Sequence, residues 1–172
     1  KNVMLAASGD MSDIQRSFAE ACGVRFDGKE SLVLDHFAFE PSVDPDNLHD
    51  VIKSTSFIKN RAVLGGFIDT EGSKPEASVL YRGLGHALRS DNELAVPILR
   101  GNPSTYSKDA GKKTPIVATG TGVRLVTGMQ GRNNARMLFS GSLDPFSNEF
   151  ARVPGAGNAA FVLSAAFWAV GA

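Results

Sequence analysis

Apolar residues in this chain come in short bursts separated by polar and glycine-bearing breaks. Val3 to Ala7 is an unbroken apolar run that stops at Ser8-Gly9-Asp10, the pattern of a buried strand meeting a turn. Asp10 is placed to cap the helix that follows, with Asp13 near the positive end of its dipole. Met11, Ile14, Phe18 and Cys22 then fall on one helical face, and Gly23 ends that helix. Strand, turn and helix together are the opening of a βα unit. Ser31 to Phe39 predicts the next strand, and the polar, proline-bearing stretch from Glu40 to Asn47 predicts a loop. Leu48 to Ile52 fits a short helix or a strand. Ala62 to Ile68 is apolar but carries Gly65-Gly66, and Thr70 to Glu76 has the composition of a surface loop.

Ser78 to Arg82 predicts a strand running into Gly83-Leu84-Gly85, while Glu93 to Leu99 fits a strand or a short helix broken at Pro97. Asn102 to Thr114, rich in Pro, Ser, Lys and Gly, predicts the longest irregular segment. Val123 to Thr127 and Arg136 to Ser140 predict two strands joined by a turn region that includes Gly131-Arg132-Asn133-Asn134. Leu143 to Phe150 predicts a short helix with Ser142 as its cap and Pro145 in its first turn. Asn158 is placed to cap a last, almost wholly apolar helix, which needs burial on most of its circumference or cover from another domain. Strands alternating with helices, without repeats or low-complexity tracts, predict one α/β domain over residues 1–172, a sandwich around a mainly parallel sheet. Its sheet is expected to be incomplete on the N-terminal side.

Composition narrows the class. A chain of 172 residues can bury roughly 70% of the surface its unfolded form exposes, so it needs neither disulfide nor metal to be stable. Lys plus Arg number 18 and Asp plus Glu 18, a formal net charge of zero that lacks the field of a nucleic-acid binder. Cys22 is the single cysteine, which excludes an internal disulfide and a Cys-rich zinc site. The chain starts as a strand would, with no signal segment, and so reads as a piece of a longer protein or a processed chain. The most apolar stretch, Ala159 to Val170, is shorter than the roughly 20 residues a membrane span requires. No Asn-x-Ser/Thr acceptor is present, because Asn102 is followed by Pro103.

Each pattern suggestive of chemistry meets a simpler alternative. Ser8-Gly9-Asp10 lies where a flavodoxin-like sheet would hold a phosphate, but Asp10 would set a negative charge against it. Gly83-Leu84-Gly85 resembles the start of a dinucleotide fingerprint, yet Leu88 stands where the third glycine belongs and no acidic residue follows at the required distance. A thiol–imidazole pair of Cys22 with His36, His49 or His86 is weakened by the place of Cys22 on an apolar helix face. The histidines are scattered without ligand spacing, and Asp35-His36 has no partner visible in the sequence, so no metal or other cofactor is expected. Arg132, Asn133, Asn134 and Arg136 could grip a phosphate. The alternative is structural: asparagines in left-handed or Asx-turn geometry, and an arginine reaching a carboxylate or the carbonyl end of a helix.

Taken together, GMQGRNNARMLFSGSLDPFSNEF (residues 128–150) closely resembles the family of the 48-kDa subunit of the eukaryotic oligosaccharyltransferase. VMLAASGD (3–10), ACGVRFD (21–27), LVLDHFAFE (32–40), SVLYRGLGHAL (78–88) and Ser104 to Ser107 are similar to that family in the same order. Lys108 to Thr114 and Thr119 to Thr121 match it poorly, and Asp144-Pro145-Phe146 stands where the family has two aromatics, so that one expected packing residue is replaced. The resemblance implies a flavodoxin- or Rossmann-like α/β domain, related in fold to a domain of an intraflagellar-transport protein. It also implies a non-catalytic assembly subunit of the glycosyltransferase complex, on the luminal side of the endoplasmic-reticulum membrane. Its partners would be the other subunits, the catalytic one included, and neither nucleic acid nor cofactor is implied. The membrane would be reached only through a C-terminal helix that, like a further luminal β domain, belongs to the family and not to these residues. No catalytic residue carries over. Arg82, Arg132, Asn133, Asn134, Arg136, Ser140 and Asp144 are the positions expected to serve the fold or a subunit contact. Two further classes compete with this reading, a small-ligand or enzymatic domain of flavodoxin-like fold and a ciliary-transport relative.

Overall fold

β1 (Val3–Ala6) opens the chain as expected, but the helix after it starts later than Asp10. The computed structural model describes residues 1–68, 77–113 and 116–171, so the loop expected from Thr70 to Glu76 lies outside the described residues. α1 (Asp13–Ala21) is capped by Ser12, whose hydroxyl accepts from the Gln15 amide at 3.3 Å while the Gln15 side chain accepts from the Ser12 amide at 2.9 Å. That reciprocal box satisfies two helix-end donors where an Asp10 cap would satisfy one. The later start rotates the buried stripe: Met11 is buried in the turn, Ala19 is buried on the helix, and Ile14 is 82% exposed.

The largest sheet also contains β2 (Val24–Phe26), β5 (Ser56–Phe57), β7 (His86–Leu88), β8 (Ala95–Arg100), β11 (Arg124–Gln130) and β12 (Arg136–Ser140). β12 lies between β1 and β11, and β11 pairs on its other side with β8 and, at Arg124, with β7. β1 and β12 run parallel, Val3 opposite Met137 and Ala6 opposite Ser140, whereas every other pairing in this sheet is antiparallel. The mainly parallel, flavodoxin- or Rossmann-like sandwich is therefore not what forms. Parallel neighbours need a crossover of a dozen or more residues, and here the short turn between β11 and β12 makes an antiparallel hairpin. Glu93 to Leu99, ambiguous in sequence, falls mostly in β8, with Pro97 opposite Thr127 at an irregular register.

Two smaller sheets complete the β-sheet structure of the described residues. β3 (Ser31–Leu34), β9 (Tyr106–Asp109) and β10 (Ile116–Thr119) form one, and β4 (Ile52–Ser54) with β6 (Val79–Tyr81) the other, all antiparallel. β3 ends at Leu34, short of the Phe39 expected from its apolar run, because Asp35 turns the backbone by accepting from the amides of Phe37 and Ala38 at 3.0 and 2.9 Å. β9 lies inside the segment expected to be irregular, and its buried positions are the polar Ser107 and Asp109.

Side chains of β12 alternate between two cores. Phe139 packs with Ala7, Met11, Ala19, Val24 and Phe26 beneath α1. Leu138 joins Leu125, Val126, Phe161 and Ala165 beneath α4 (Asn158–Val170), against which α2 (Arg61–Leu64) also packs. Asn158 is not the cap of α4, a place taken by Gly157. Its buried amide instead accepts from Leu80 N at 2.8 Å and donates to the carbonyls of Leu80 and Pro145 at 2.9 and 3.1 Å, tying the helix to β6. Ser142 accepts from Asp144 N at the start of a short 3-10 turn (Asp144–Phe146), and Ser147 caps α3 (Asn148–Ala151).

Candidate functional site

The residues singled out in the sequence collect at the two ends of β12. At its C-terminal end, which is also that of the parallel β1, a cleft of about 360 Å³ is lined by Ser8, Lys29, Arg82, Leu84, Ser142 and Asp144 among others. Arg82 Nε donates to Asp144 Oδ2 at 2.7 Å, and the guanidinium carbon lies 5.6 Å from the centre of the Phe150 ring. Burial alone would lower the Arg82 pKa, but the bond to Asp144 and the charges of Asp144, Asp50 and Glu149 hold it raised. Ser140 is buried, and its hydroxyl donates to the Ser142 carbonyl at 2.7 Å while its own carbonyl accepts from Ala7 N at 2.7 Å. Gly83, with φ 144°, lets its carbonyl accept from Val33 N, and Leu84 N donates to the Gly141 carbonyl.

This cleft occupies the place where an open α/β sheet would present a phosphate. Its arginine, however, is already engaged, and an anion would have to displace Asp144 or bear its charge at close range. The arrangement ties the end of β6, the end of β12 and the 3-10 turn together.

At the N-terminal end of β12 sits the turn that includes Gly131 to Ala135. Asn134 has φ 62°, and Asn133 Oδ1 accepts from Ala135 N at 3.1 Å, an Asx turn. Gly131 N closes the turn by donating to the Ala135 carbonyl at 2.8 Å, and Gln130 donates to Asn134 Oδ1 at 2.7 Å. Arg132 is exposed at the tip. Arg136 turns back: its Nη1 donates to the Trp168 carbonyl at 2.6 Å, where α4 presents its negative end, and its guanidinium carbon lies 5.6 Å from the centre of the Trp168 ring. Arg82, Ser140 and Asp144 thus come together, and Arg132, Asn133, Asn134 and Arg136 come together elsewhere.

Cys22 is half-buried at the end of α1, its thiol 3.8 Å from the Met137 sulfur, and burial raises its pKa, opposite to what a nucleophile requires. A constellation not legible in the sequence centres on Asp35. Its buried carboxylate accepts from Ser104 Oγ and Thr105 Oγ1, both at 2.8 Å, besides the two backbone amides. Burial would raise the Asp35 pKa, but these four donors hold it lowered. The only signal in the sequence was the Asp35-His36 pair, whose partners lie far along the chain.

Comparison with known proteins agrees with the family resemblance of the sequence. A family model described as OST48, N-terminal domain, matches residues 1–172. The chain is 38% identical over 155 residues to the dolichyl-diphosphooligosaccharide–protein glycosyltransferase 48 kDa subunit of Arabidopsis thaliana, covering 88% of this chain and 34% of that protein. The subunit of the same name from Danio rerio is 35% identical over 153 residues, 87% of this chain and 33% of its own length. The corresponding Drosophila melanogaster protein is 31% identical over 150 residues, 86% of this chain and 33% of its own length. The chain therefore spans about a third of the length of the curated relatives it matches. Among solved structures, the mmIFT52 N-terminal domain superposes with a TM-score of 0.62 at 13% identity, over 96% of this chain and 63% of that one, a likeness of fold alone. With a match running over residues 1–172 and relatives of one name from a plant, a fish and an insect, the chain belongs to the OST48 N-terminal domain family.

Proposed function

We propose that the chain is part of a non-catalytic assembly subunit of the oligosaccharyltransferase complex, which transfers a preassembled glycan from a dolichol carrier to asparagine. In this reading it faces the lumen of the endoplasmic reticulum, and the longer protein reaches the membrane through a segment outside these residues. Its partners are the other subunits, the catalytic one included. The observation that carries the proposal is the family match over residues 1–172.

The geometry supports it in two ways. Asp144 and Arg136 of the most family-like block, and Arg82 of the segment 78–88, are held by bonds within the chain, as fits a scaffold. α4, meanwhile, leaves Leu163, Phe167 and Val170 more than half exposed along one side, although it is the most apolar helix of the chain. We assign the cover of that side to a further domain of the longer protein, since the relatives are about three times the length of the segment matched here.

The test is affinity purification of the full-length protein, tagged at its native level, from microsomes solubilised in mild detergent. Glycosyltransferase subunits should co-purify in constant ratio, and depletion of the protein should lower transfer to an acceptor peptide. Recovery without those subunits would overturn the assignment.

A further inference from the structure

The described residues contain one pair of imidazoles brought ring nitrogen to ring nitrogen by two loops 13 residues apart in the chain. His36 Nδ1 lies 2.6 Å from His49 Nδ1, with the rings nearly perpendicular at 80°. His36 Nε2 lies 2.8 Å from the Tyr106 hydroxyl, and Phe39 packs on His49 with ring centres 4.3 Å apart.

Both supporting loops are clamped. Asp35 fixes the start of one through its four donors. The buried Asp44 fixes the other, accepting from Leu48 N at 3.0 Å and His49 N at 2.7 Å. Asp35 N also donates to the His49 carbonyl at 3.0 Å, which ties the two loops together. His49 is held at φ 60° and Asn47 at φ 52°, backbone that a non-glycine residue adopts at a cost. Two carboxylates and a strained turn thus fix where His49 stands relative to His36.

Two bare imidazole lone pairs at this distance repel, so something positive must stand between them: a shared proton or a metal ion. From these positions we propose that His36 and His49 form a Zn²⁺ site, bound through both Nδ1 atoms. Zinc holds imidazole nitrogen at about 2.0–2.1 Å, which in tetrahedral geometry sets the two nitrogens roughly 3.3 Å apart. The pair need open by only a fraction of an ångström, which rotation of the exposed His36 side chain supplies.

Tyr106 makes the exchange of proton for metal possible, because its hydroxyl both donates and accepts. Without metal, His36 carries its proton on Nδ1, directed at His49, and its Nε2 accepts from Tyr106. With metal, the His36 proton sits on Nε2 and is donated to the Tyr106 oxygen, leaving Nδ1 free to ligate. Such a partner on the non-ligating nitrogen fixes the tautomer of a metal-bound histidine. The remaining coordination positions open to solvent, for water or for a side chain of another molecule.

The test is calorimetric titration of the full chain with ZnCl₂, with MgCl₂ as control, for wild type, His36→Ala, His49→Asn and Tyr106→Phe. Asn is used at His49 because it tolerates left-handed backbone. One zinc per chain is expected for wild type, no binding for either histidine variant, and affinity about tenfold lower for Tyr106→Phe. Thermal melts in EDTA establish that each variant folds. For wild type, ¹⁵N shifts of the imidazoles should move on zinc addition, His36 passing from the Nδ1–H to the Nε2–H tautomer. Zinc binding that survives His36→Ala, no binding at millimolar zinc, or unchanged His36 and His49 resonances in zinc-bound protein would each overturn the proposal.

Discussion

His86 makes the stability of this fold depend on pH in a way one substitution can isolate. The residue is 2% exposed, its Nε2 lies 2.7 Å from Thr127 Oγ1, its ring meets that of Phe26 at a steep angle with centres 5.3 Å apart, and its Nδ1 is buried without a partner among the described residues. Burial, with the Arg124 charge as a lesser cause, pulls its pKa down from 6.5 to about 3. A pKa depressed in the folded state means that the unfolded chain takes up the proton first. His86 therefore contributes its full stability above pH 6.5 and loses it progressively as pH falls from 6.5 towards about 3. At about pH 5 the linkage amounts to about 2 kcal/mol, from 1.36 kcal/mol per unit and roughly 1.5 units below the unfolded pKa. The assay is urea unfolding of wild type and His86→Gln at about pH 7.5 and about pH 5, the glutamine keeping a group that can reach Thr127 but removing the titration. Wild type should lose about 2 kcal/mol more than the variant over that interval. Asp27, whose pKa burial raises, acts in the opposite direction but equally in both proteins, and so cancels. Equal losses in the two proteins would refute the reasoning, as would a His86 resonance that titrates normally in the folded state.

Asn158→Ala removes a buried amide that serves Leu80 twice and Pro145 once, and should cost about 2–4 kcal/mol by chemical denaturation. In Gly141→Ala the new Cβ would stand 1.9 Å from the Leu84 carbonyl oxygen and 2.5 Å from the Tyr81 hydroxyl, so circular dichroism should show loss of the fold, and a near-native melt would count against the packing. Arg136→Ala removes the bond to the Trp168 carbonyl and the contact with its ring, for about 1–2 kcal/mol and faster amide exchange at the end of α4. Arg132→Ala, at an exposed tip, should stay within about 0.5 kcal/mol of wild type. Leu163→Ser with Phe167→Ser should leave the melting temperature of this chain unchanged but reduce co-purification of its neighbours with the full-length protein; a large fall in melting would mean that these side chains serve the core.

What the sequence made legible follows from who does the burying. β12 spans the expected Arg136 to Ser140 because Leu138 and Phe139 fill the two cores, and α4 is recognisable because its buried positions are mostly apolar. β9 and β7 were missed because their most buried side chains are Ser107, Asp109 and His86, which a hydrophobic period cannot register. The parallel sheet was inferred from alternation, but alternation does not distinguish a helix crossing over a sheet from a hairpin returning beside its own strand. Only pairing partners decide that, and most of them here are antiparallel. Chemistry follows the same division. The turn from Gly131 to Ala135 could be read locally because an Asx turn and a left-handed asparagine are set within a few residues. His36 meets His49 across 13 residues and Tyr106 across 70, so nothing in the local pattern marks them. Polar side chains that are buried and satisfied over long range escape the pattern on both counts: they break the hydrophobic period that would reveal their strand, and their partners are distant in the chain. Asp35 and Ser107 are such residues: Asp35 is held by Ser104 and Thr105 and Ser107 by Asp27, and they fix the loop that carries His36 and the strand that carries Tyr106.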